Sequence, residues 1–444
     1  MSVPRNSFLA FLPHASGLVV GLATSVVTAR YLGPEGRGVL SVALLAGGAY
    51  YLLASAGLGT AVTYFVSKGR LTPGQALGFC LAASLVAGTA AQAVALALWP
   101  VLRENVLRSI TLPLLVATVA SIPPVVFTEL WVRTLMARDR FSAASRFGVL
   151  TGGTTLVTAL IVLAAFRGDA TTLVWTNTAV SFTIAIVVLA YEWRASGLTV
   201  RLPQGFLGDA VRYGARSYAG GLLNYTVLRM DTFVLNAFAP VGQVGFYSTA
   251  VTLAEKLWLM ESAVSSASLP QVVSREREDA ARLVADTARH LTLLSLVLAA
   301  GLFALVPWVV GLLYGAAFAP TAGLVRILLP GVVLYSAGRQ LLQFHQGQLG
   351  KPGTVSLVSA GAAVGGIGLY LVLIPRFGAV GAAAATSVTY LGVFLTALTL
   401  FVRASGVRIR DVMVPRTSDL RWYRDRATRI LSALRQPPGP LGPE

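Results

Sequence analysis

Residues 218–236 read YAGGLLNYTVLRMDTFVLN. As a helix the stretch is long and apolar enough to cross a bilayer, which takes about 20 residues. It nevertheless holds Asn224, Arg229 and Asp231 in its interior. A charge at mid-membrane costs roughly 2.5–3.5 kcal/mol even on insertion scales, so it faces a bundle interior or a wet cavity. At about 100° per residue, Tyr218, Tyr225, Arg229, Thr232 and Asn236 share one stripe, and Asn224 and Asp231 form a second beside it. Arg229 and Asp231 stand two positions apart, a spacing at which helix side chains do not meet. Each therefore needs water, another helix or a ligand, and the helix reads as the wall of a cavity.

The remaining sequence supplies a membrane setting. Of its 444 residues 55% are hydrophobic and 12% charged, with a mean hydropathy of +0.71; soluble domains carry about 25% charged residues. The composition predicts an all-α polytopic membrane protein. Apolar stretches at 8–29, 39–62, 77–99, 111–130, 147–166, 171–191, 215–237, 245–268, 290–313, 322–345, 354–374 and 379–402 predict about twelve transmembrane helices. The first stretch lacks a cleavable signal pattern and reads as a retained span. A net charge of +17 would suggest nucleic acid in a soluble protein, but here the arginines sit in loops and set orientation. The segments on the side of the two termini hold 25 of the lysines and arginines, against 6 in the loops on the other side. Both termini are thereby expected in the cytoplasm, with the chain in the inner or plasma membrane. The lone Cys80 excludes a disulfide framework and a thiol pair. HExxH, P-loop and GxSxG motifs are absent from the sequence, as are Cys/His clusters. The sequence thus offers no metal site, cofactor site, nucleotide-driven pump or catalytic constellation. The outer loops are too short to serve a membrane glycosyltransferase.

An internal repeat orders the spans. Gly33-Pro34-Glu35-Gly36-Arg37-Gly38-Val39-Leu40-Ser41-Val42-Ala43 follows the first span, and Ala239-Pro240-Val241-Gly242-Gln243-Val244-Gly245-Phe246-Tyr247-Ser248-Thr249-Ala250 follows the seventh. Pro, Gly, Gly, Ser and Ala recur after one inserted residue. Six spans separate the copies, so the halves point the same way about an axis along the membrane normal. The expected organisation is a six-helix lobe at 1–191, a cytoplasmic connection at 192–216, a second lobe at 217–402 and a basic tail at 403–444. Residues 270–289 predict a solvated helical extension. Within the tail Leu420, Tyr423, Ala427, Ile430, Leu431 and Leu434 share a face, as in an interfacial helix drawn to anionic headgroups.

Intramembrane polarity concentrates in spans one, two, seven, eight and ten. His14, Gly17, Gly21, Thr24 and Thr28 share a face of the first span, and Gly48, Tyr51, Ser55 and Gly59 one of the second. Ser248, Thr252, Glu255, Ser262 and Ser266 line the eighth, with Lys256 and Glu261 alongside; the tenth carries Arg339, Gln340, Gln343, His345 and Gln346. Spans one, two, seven and eight are equivalent in the two halves, so they predict a wet cavity between them. Ordinary readings stand beside this one. Gly17 and Gly21 suit helix packing, hydroxyls bond back to their own helix, and Arg30 and Arg37 fit helix ends. Glu255 fits an interfacial position, and Arg339 a side chain snorkelling to the cytoplasm. Arg229 and Asp231 lie too deep for any of these.

The stretches ARYLGPEGRGVLSVALL, SAGLGTAVTYFVSKG, LLNYTVLRMDTFVLNAFAPVGQVGFYSTAVTLAEKLW and IPRFGAVGAAAATSVTY resemble the Wzx-type polysaccharide flippases, of the superfamily that includes the MATE antiporters and the lipid II flippase MurJ. The resemblance covers most of residues 8–402. It implies a V-shaped bundle of two six-helix lobes that moves a lipid-linked oligosaccharide by alternating access. It also implies that Arg30, in the ARxLG element, and Arg229 with Asp231, in the RxD element, match residues typical of these flippases. Lys256 stands where a charged residue is common, and the basic tail departs from the pattern.

Chemistry agrees with that implication. A polyprenyl diphosphate sugar is too polar at its head to cross hydrocarbon unaided. Arg30, Arg229, Lys256 and Arg339 are the cations expected to meet the diphosphate, arginine by bidentate bonds, with Tyr225 and Asn224 as neutral contacts. Asp231 and Glu255 would temper that charge and are candidates to carry a coupling proton or sodium ion. Two other readings compete: a MATE-like antiporter of small organic cations, favoured by an acidic, aromatic cavity, and a membrane scaffold whose basic tail recruits other polysaccharide-assembly proteins.

Overall fold

The computed structural model describes the backbone of residues 3–414 and the side chains of all of these except 3–16, 18, 207, 215–217 and 219. His14 and the amphipathic face expected at 420–434 lie outside the described side chains. The N-terminal part consists of α1 (Val3–Ser55), α2 (Leu58–Ser67), α3 (Pro73–Leu102), α4 (Leu112–Ala120), α5 (Ile122–Ala137), α6 (Phe141–Ala159) and α7 (Ala170–Ser196). The C-terminal part consists of α8 (Phe206–Phe238), α9 (Val241–Ala254), α10 (Trp258–Ser274), α11 (Arg277–Tyr314), α12 (Thr321–Gln343), α13 (Pro352–Ser405) and α14 (Ile409–Met413). No strand occurs among the described residues.

Eight helical stretches are long and apolar enough to cross a membrane. Two of them are each two helical legs joined at a glycine: α1 breaks at Gly33 (φ 67°) and α13 at Gly378 (φ 55°), conformations that side chains with a Cβ resist. The stretches 215–237 and 245–268 are helical as well, but fall outside the eight. Polar residues interrupt the apolar run of α8, and a 3-10 turn at Glu255–Leu257 separates α9 from α10. The surface is that of a protein solvated by hydrocarbon: Phe166, Trp308, Leu357 and Val364 are all exposed.

Packing divides the helices into two groups. In the first, α1 lies on α3, α4, α5 and α6; in the second, α13 lies on α8 and α12, with α11 and α9 also against α12. Across the seam α1 packs on α8 and α9, and α2 on α8. The two copies of the sequence repeat face each other there. A Cβ on Gly38 would strike the Val241 carbonyl oxygen, and one on Gly245, its repeat equivalent, would strike that of Pro34. The equivalent serines meet too, Ser41 Oγ donating to Ser248 Oγ at 2.9 Å. Reciprocal contacts between equivalent residues are the signature of a two-fold relation. At the opposite end the seam is shut by other means: Gly57 lies on the Gly214 carbonyl, Tyr64 stacks on Tyr213 at 4.7 Å, and Arg70 pairs with Asp209 at 3.4 Å. The molecule is closed at both ends of its seam.

Three sequence expectations change. Helices α7 and α8 extend into the segment 192–216 and leave only residues 197–205 outside helices. Residues 270–289 are not one solvated helix. The chain turns at Arg275, and Ala280, Ala281, Val284, Ala285 and Ala288 bury one face of α11 in a small second core. Spans one, two, seven and eight do not line one shared cavity, because the closed seam leaves the cavities described below within each group of helices.

Candidate functional site

Helix α8 carries Arg229, and the 3-10 turn between α9 and α10 carries Glu255 and Lys256. Arg229 Nη1 and Nη2 donate to Glu255 Oε1 and Oε2 at 2.9 and 3.0 Å, a fork-to-fork ion pair. The side chains are 29% and 18% exposed, so neither charge would be tolerated there alone. The helix breaks where the pair forms, and a 3-10 turn between two helices commonly marks a hinge. One turn earlier on α8, the Tyr225 hydroxyl donates across the seam to the Leu45 carbonyl at 2.5 Å, its ring lying against Gly48. A single helix face thus holds both the ion pair and the link between the two groups.

A second pair lies further along the same group. Arg339 Nη1 of α12 approaches Oε2 of Glu261, a buried carboxylate on α10, at 3.4 Å. Both line a cavity of about 170 Å³ together with Asn224, Tyr335, Gln343 and Gln346. Beside it Gln340 Nε2 donates to Ser268 Oγ at 3.1 Å, and Gln343 Nε2 to Ser265 Oγ. Aromatic rings fill the space between the pairs. Tyr335 stacks on Tyr390 at 4.4 Å, and the Trp258 indole N–H donates to the Val332 carbonyl at 3.1 Å.

Asp231, fully buried, has its partners within the second group. Its carboxylate accepts from Tyr247 Oη at 2.5 Å, from Thr232 N at 2.5 Å and Oγ1 at 3.1 Å, and from Thr386 Oγ1 at 3.3 Å. Among the described residues it has no salt-bridge partner. Four hydroxyl and amide donors thus satisfy the buried carboxylate in place of a cation.

The structure gathers Arg229, Glu255, Lys256 and Tyr225 at one place and Asn224 and Arg339 at the adjoining cavity. Lys256 enters no ion pair among the described residues. Arg30 is elsewhere. It is exposed, its Nε donates to the Leu313 carbonyl at 2.7 Å and its Nη2 to that of Leu312, so it caps the C-terminal end of α11.

Three features escaped the sequence. Arg37, which fits a helix end by position, is buried and donates to Thr28 Oγ1 at 2.9 Å and Ser25 Oγ at 3.3 Å. Glu261 emerges as the partner of Arg339. Arg133, counted with the loop charges, lies on α5 and donates to Glu129 at 2.9 Å. The Glu129–Arg133 spacing of four is the signal the sequence carries for this pair, although the apolar run ends at 130.

Comparison with known proteins agrees with this architecture. A family described as polysaccharide biosynthesis protein matches residues 27–322. The chain is similar to the probable low-salt glycan biosynthesis flippase Agl15 of Haloferax volcanii, 24% identical over 214 residues; the match spans 47% of this chain and 45% of that protein's length. Its fold is similar to the lipid II flippase MurJ in an inward closed conformation, with a TM-score of 0.74, 13% identity and 90% of each chain covered. It is also similar to a multidrug resistance MATE family transporter of the MOP superfamily in an inward-facing conformation, with a TM-score of 0.68, 16% identity, and 89% of this chain and 95% of that one covered. The fold is that of the MurJ and MATE transporters, and the chain belongs to the polysaccharide biosynthesis protein family.

Proposed function

We propose that the protein is a flippase that carries a polyprenyl-diphosphate-linked oligosaccharide from the cytoplasmic to the outer leaflet, with both termini in the cytoplasm. One observation carries the reading: Arg229 is held by a carboxylate in the geometry that a diphosphate would use. A phosphate group accepts the same two parallel N–H bonds, so the incoming anion exchanges with Glu255 instead of opening an unpaired cation. Glu255, released, takes a proton or a sodium ion, and Asp231, a buried carboxylate with no salt-bridge partner among the described residues, is the second place for a coupling ion. Lys256, beside the pair, adds attraction for the anion. The cycle then alternates between opening at the Gly38–Gly245 contact and at the Tyr64–Tyr213 contact, with the substrate held at α8 between them. The protein's role is transport, without a chemical step.

Antiport of small organic cations fits less well. Such a site needs an accessible carboxylate free to pair with the cargo. Glu129, Glu255 and Glu261 are each engaged by an arginine, and Asp231, which has no salt-bridge partner among the described residues, is fully buried and held by Tyr247, Thr232 and Thr386. The test is movement of a fluorescent polyprenyl-diphosphate oligosaccharide across proteoliposome membranes. The wild type should carry it; a wild type that moves only organic cations would replace this reading by antiport.

A further inference from the structure

A cavity among the N-terminal helices lies away from Arg229 and has a different chemistry. It encloses about 800 Å³ between α1, α5, α6 and α7, within the range of about 300–1,000 Å³ typical of ligand pockets. A neighbouring space of about 340 Å³ shares its Tyr51, Asn177 and Ser181 walls and continues to Gly48. Gly48 is the residue on which the Tyr225 ring rests. The cavity therefore ends one aromatic ring away from the helix that carries Arg229.

Its charges cancel. Glu129 and Arg133 hold each other at 2.9 Å, and no other charged side chain lines it. Both are partly exposed, at 37% and 47%. In a membrane protein that exposure faces a polar space, because hydrocarbon would make it prohibitive. The remaining polar wall is neutral: Tyr51, Thr151, Asn177 and Ser181 among others. Thr151 and Ser181 donate back to their own helices, to the Gly148 and Asn177 carbonyls, which leaves their oxygens as acceptors. Neither the Tyr51 hydroxyl nor the Asn177 amide has a hydrogen-bond partner among the described residues.

A wall of this kind discriminates by class. A diphosphate or an organic cation gains nothing from a neutral site, and a purely apolar chain would strand the Glu129–Arg133 pair and the Asn177 amide. A sugar offers many hydroxyls that both donate and accept, matching hydroxyl, amide, carboxylate and guanidinium groups, and its C–H faces can lie on the Tyr51 and Phe147 rings. We infer that this N-terminal cavity receives the glycan of the transported lipid, while the Arg229 site receives its diphosphate. The inference rests on the flippase reading and adds a division of labour: one lobe takes the sugar, the other the charge.

The test is equilibrium binding to the full-length protein in nanodiscs. The probes are a polyprenyl diphosphate carrying a neutral oligosaccharide and the same lipid without sugar. The wild type should bind the glycosylated lipid about tenfold more tightly. Asn177→Ala and the conservative Tyr51→Phe should each remove most of that margin and leave the affinity for bare polyprenyl diphosphate unchanged. Equal wild-type affinity for the two lipids, or a margin untouched in both variants, would overturn the sugar cavity while the flippase reading stood. A wild type that binds neither lipid would remove the flippase reading and this inference with it.

Discussion

At the scale of the residue, Arg229 and Glu255 form the pivotal contact. The pair is only partly buried, so its worth lies between that of an exposed pair and of a fully enclosed one. Glu255→Ala leaves the guanidinium without its acceptor, and we expect a loss of about 2 kcal/mol in stability, read by thermal unfolding in detergent. The double variant Arg229→Met/Glu255→Met should lose less than either single truncation, since no charge is stranded; additive losses would mean that the two side chains act independently. Asp231 calls for another substitution. Asp231→Asn preserves the shape of the site and removes its charge, so flipping should lose its dependence on the driving ion while the yield of folded protein holds. An unchanged ion dependence would take Asp231 out of the coupling. The polarity of these positions could be read from the sequence, but their partners could not. Arg229 and Glu255 are 26 positions apart and meet because α8 packs beside α9. By position Arg37 fits a helix end, whereas the break at Gly33 folds it back onto Ser25 and Thr28 of the first leg of α1.

At the scale of the element, the repeat is where sequence and structure correspond most directly. Pro34, Gly38 and Ser41 correspond to Pro240, Gly245 and Ser248 once one inserted residue is allowed for, and the matched glycines and serines touch across the seam. Because Ser41 Oγ and Ser248 Oγ are 2.9 Å apart, cysteines there come within disulfide geometry. Ser41→Cys/Ser248→Cys should crosslink under oxidation, stop flipping, and recover with reductant. Gly245→Val, which brings a side chain against the Pro34 carbonyl, should reduce that crosslinking severalfold by holding the end open. Crosslinking without loss of transport would show that this contact does not have to part. Helix breaks were less legible. The turn at Glu255–Leu257 has neither proline nor glycine to announce it, and a hydropathy window reads straight through it.

At the scale of the whole molecule, apolar length and the parallel repeat carried the fold: α-helical, polytopic, with two groups of helices meeting at a seam. The sequence could not tell that the seam is shut at both ends, because closure depends on contacts such as Tyr64 on Tyr213 between helices far apart in the chain. The cavity expected between the halves is accordingly divided, into a neutral one of about 800 Å³ in the first group and a charged one of about 170 Å³ in the second. In the proposed cycle, opening either end joins the two spaces past Tyr225. The central claim is that Arg229 grips the diphosphate during this passage. It is tested most directly by the transbilayer movement of a fluorescent polyprenyl-diphosphate oligosaccharide in proteoliposomes, with wild type and Arg229→Ala reconstituted in equal folded amounts. The account predicts movement by the wild type and a loss of at least about tenfold in the variant, as expected when roughly 1.4 kcal/mol or more of charge-assisted bonding is removed. Full activity in the variant would contradict it.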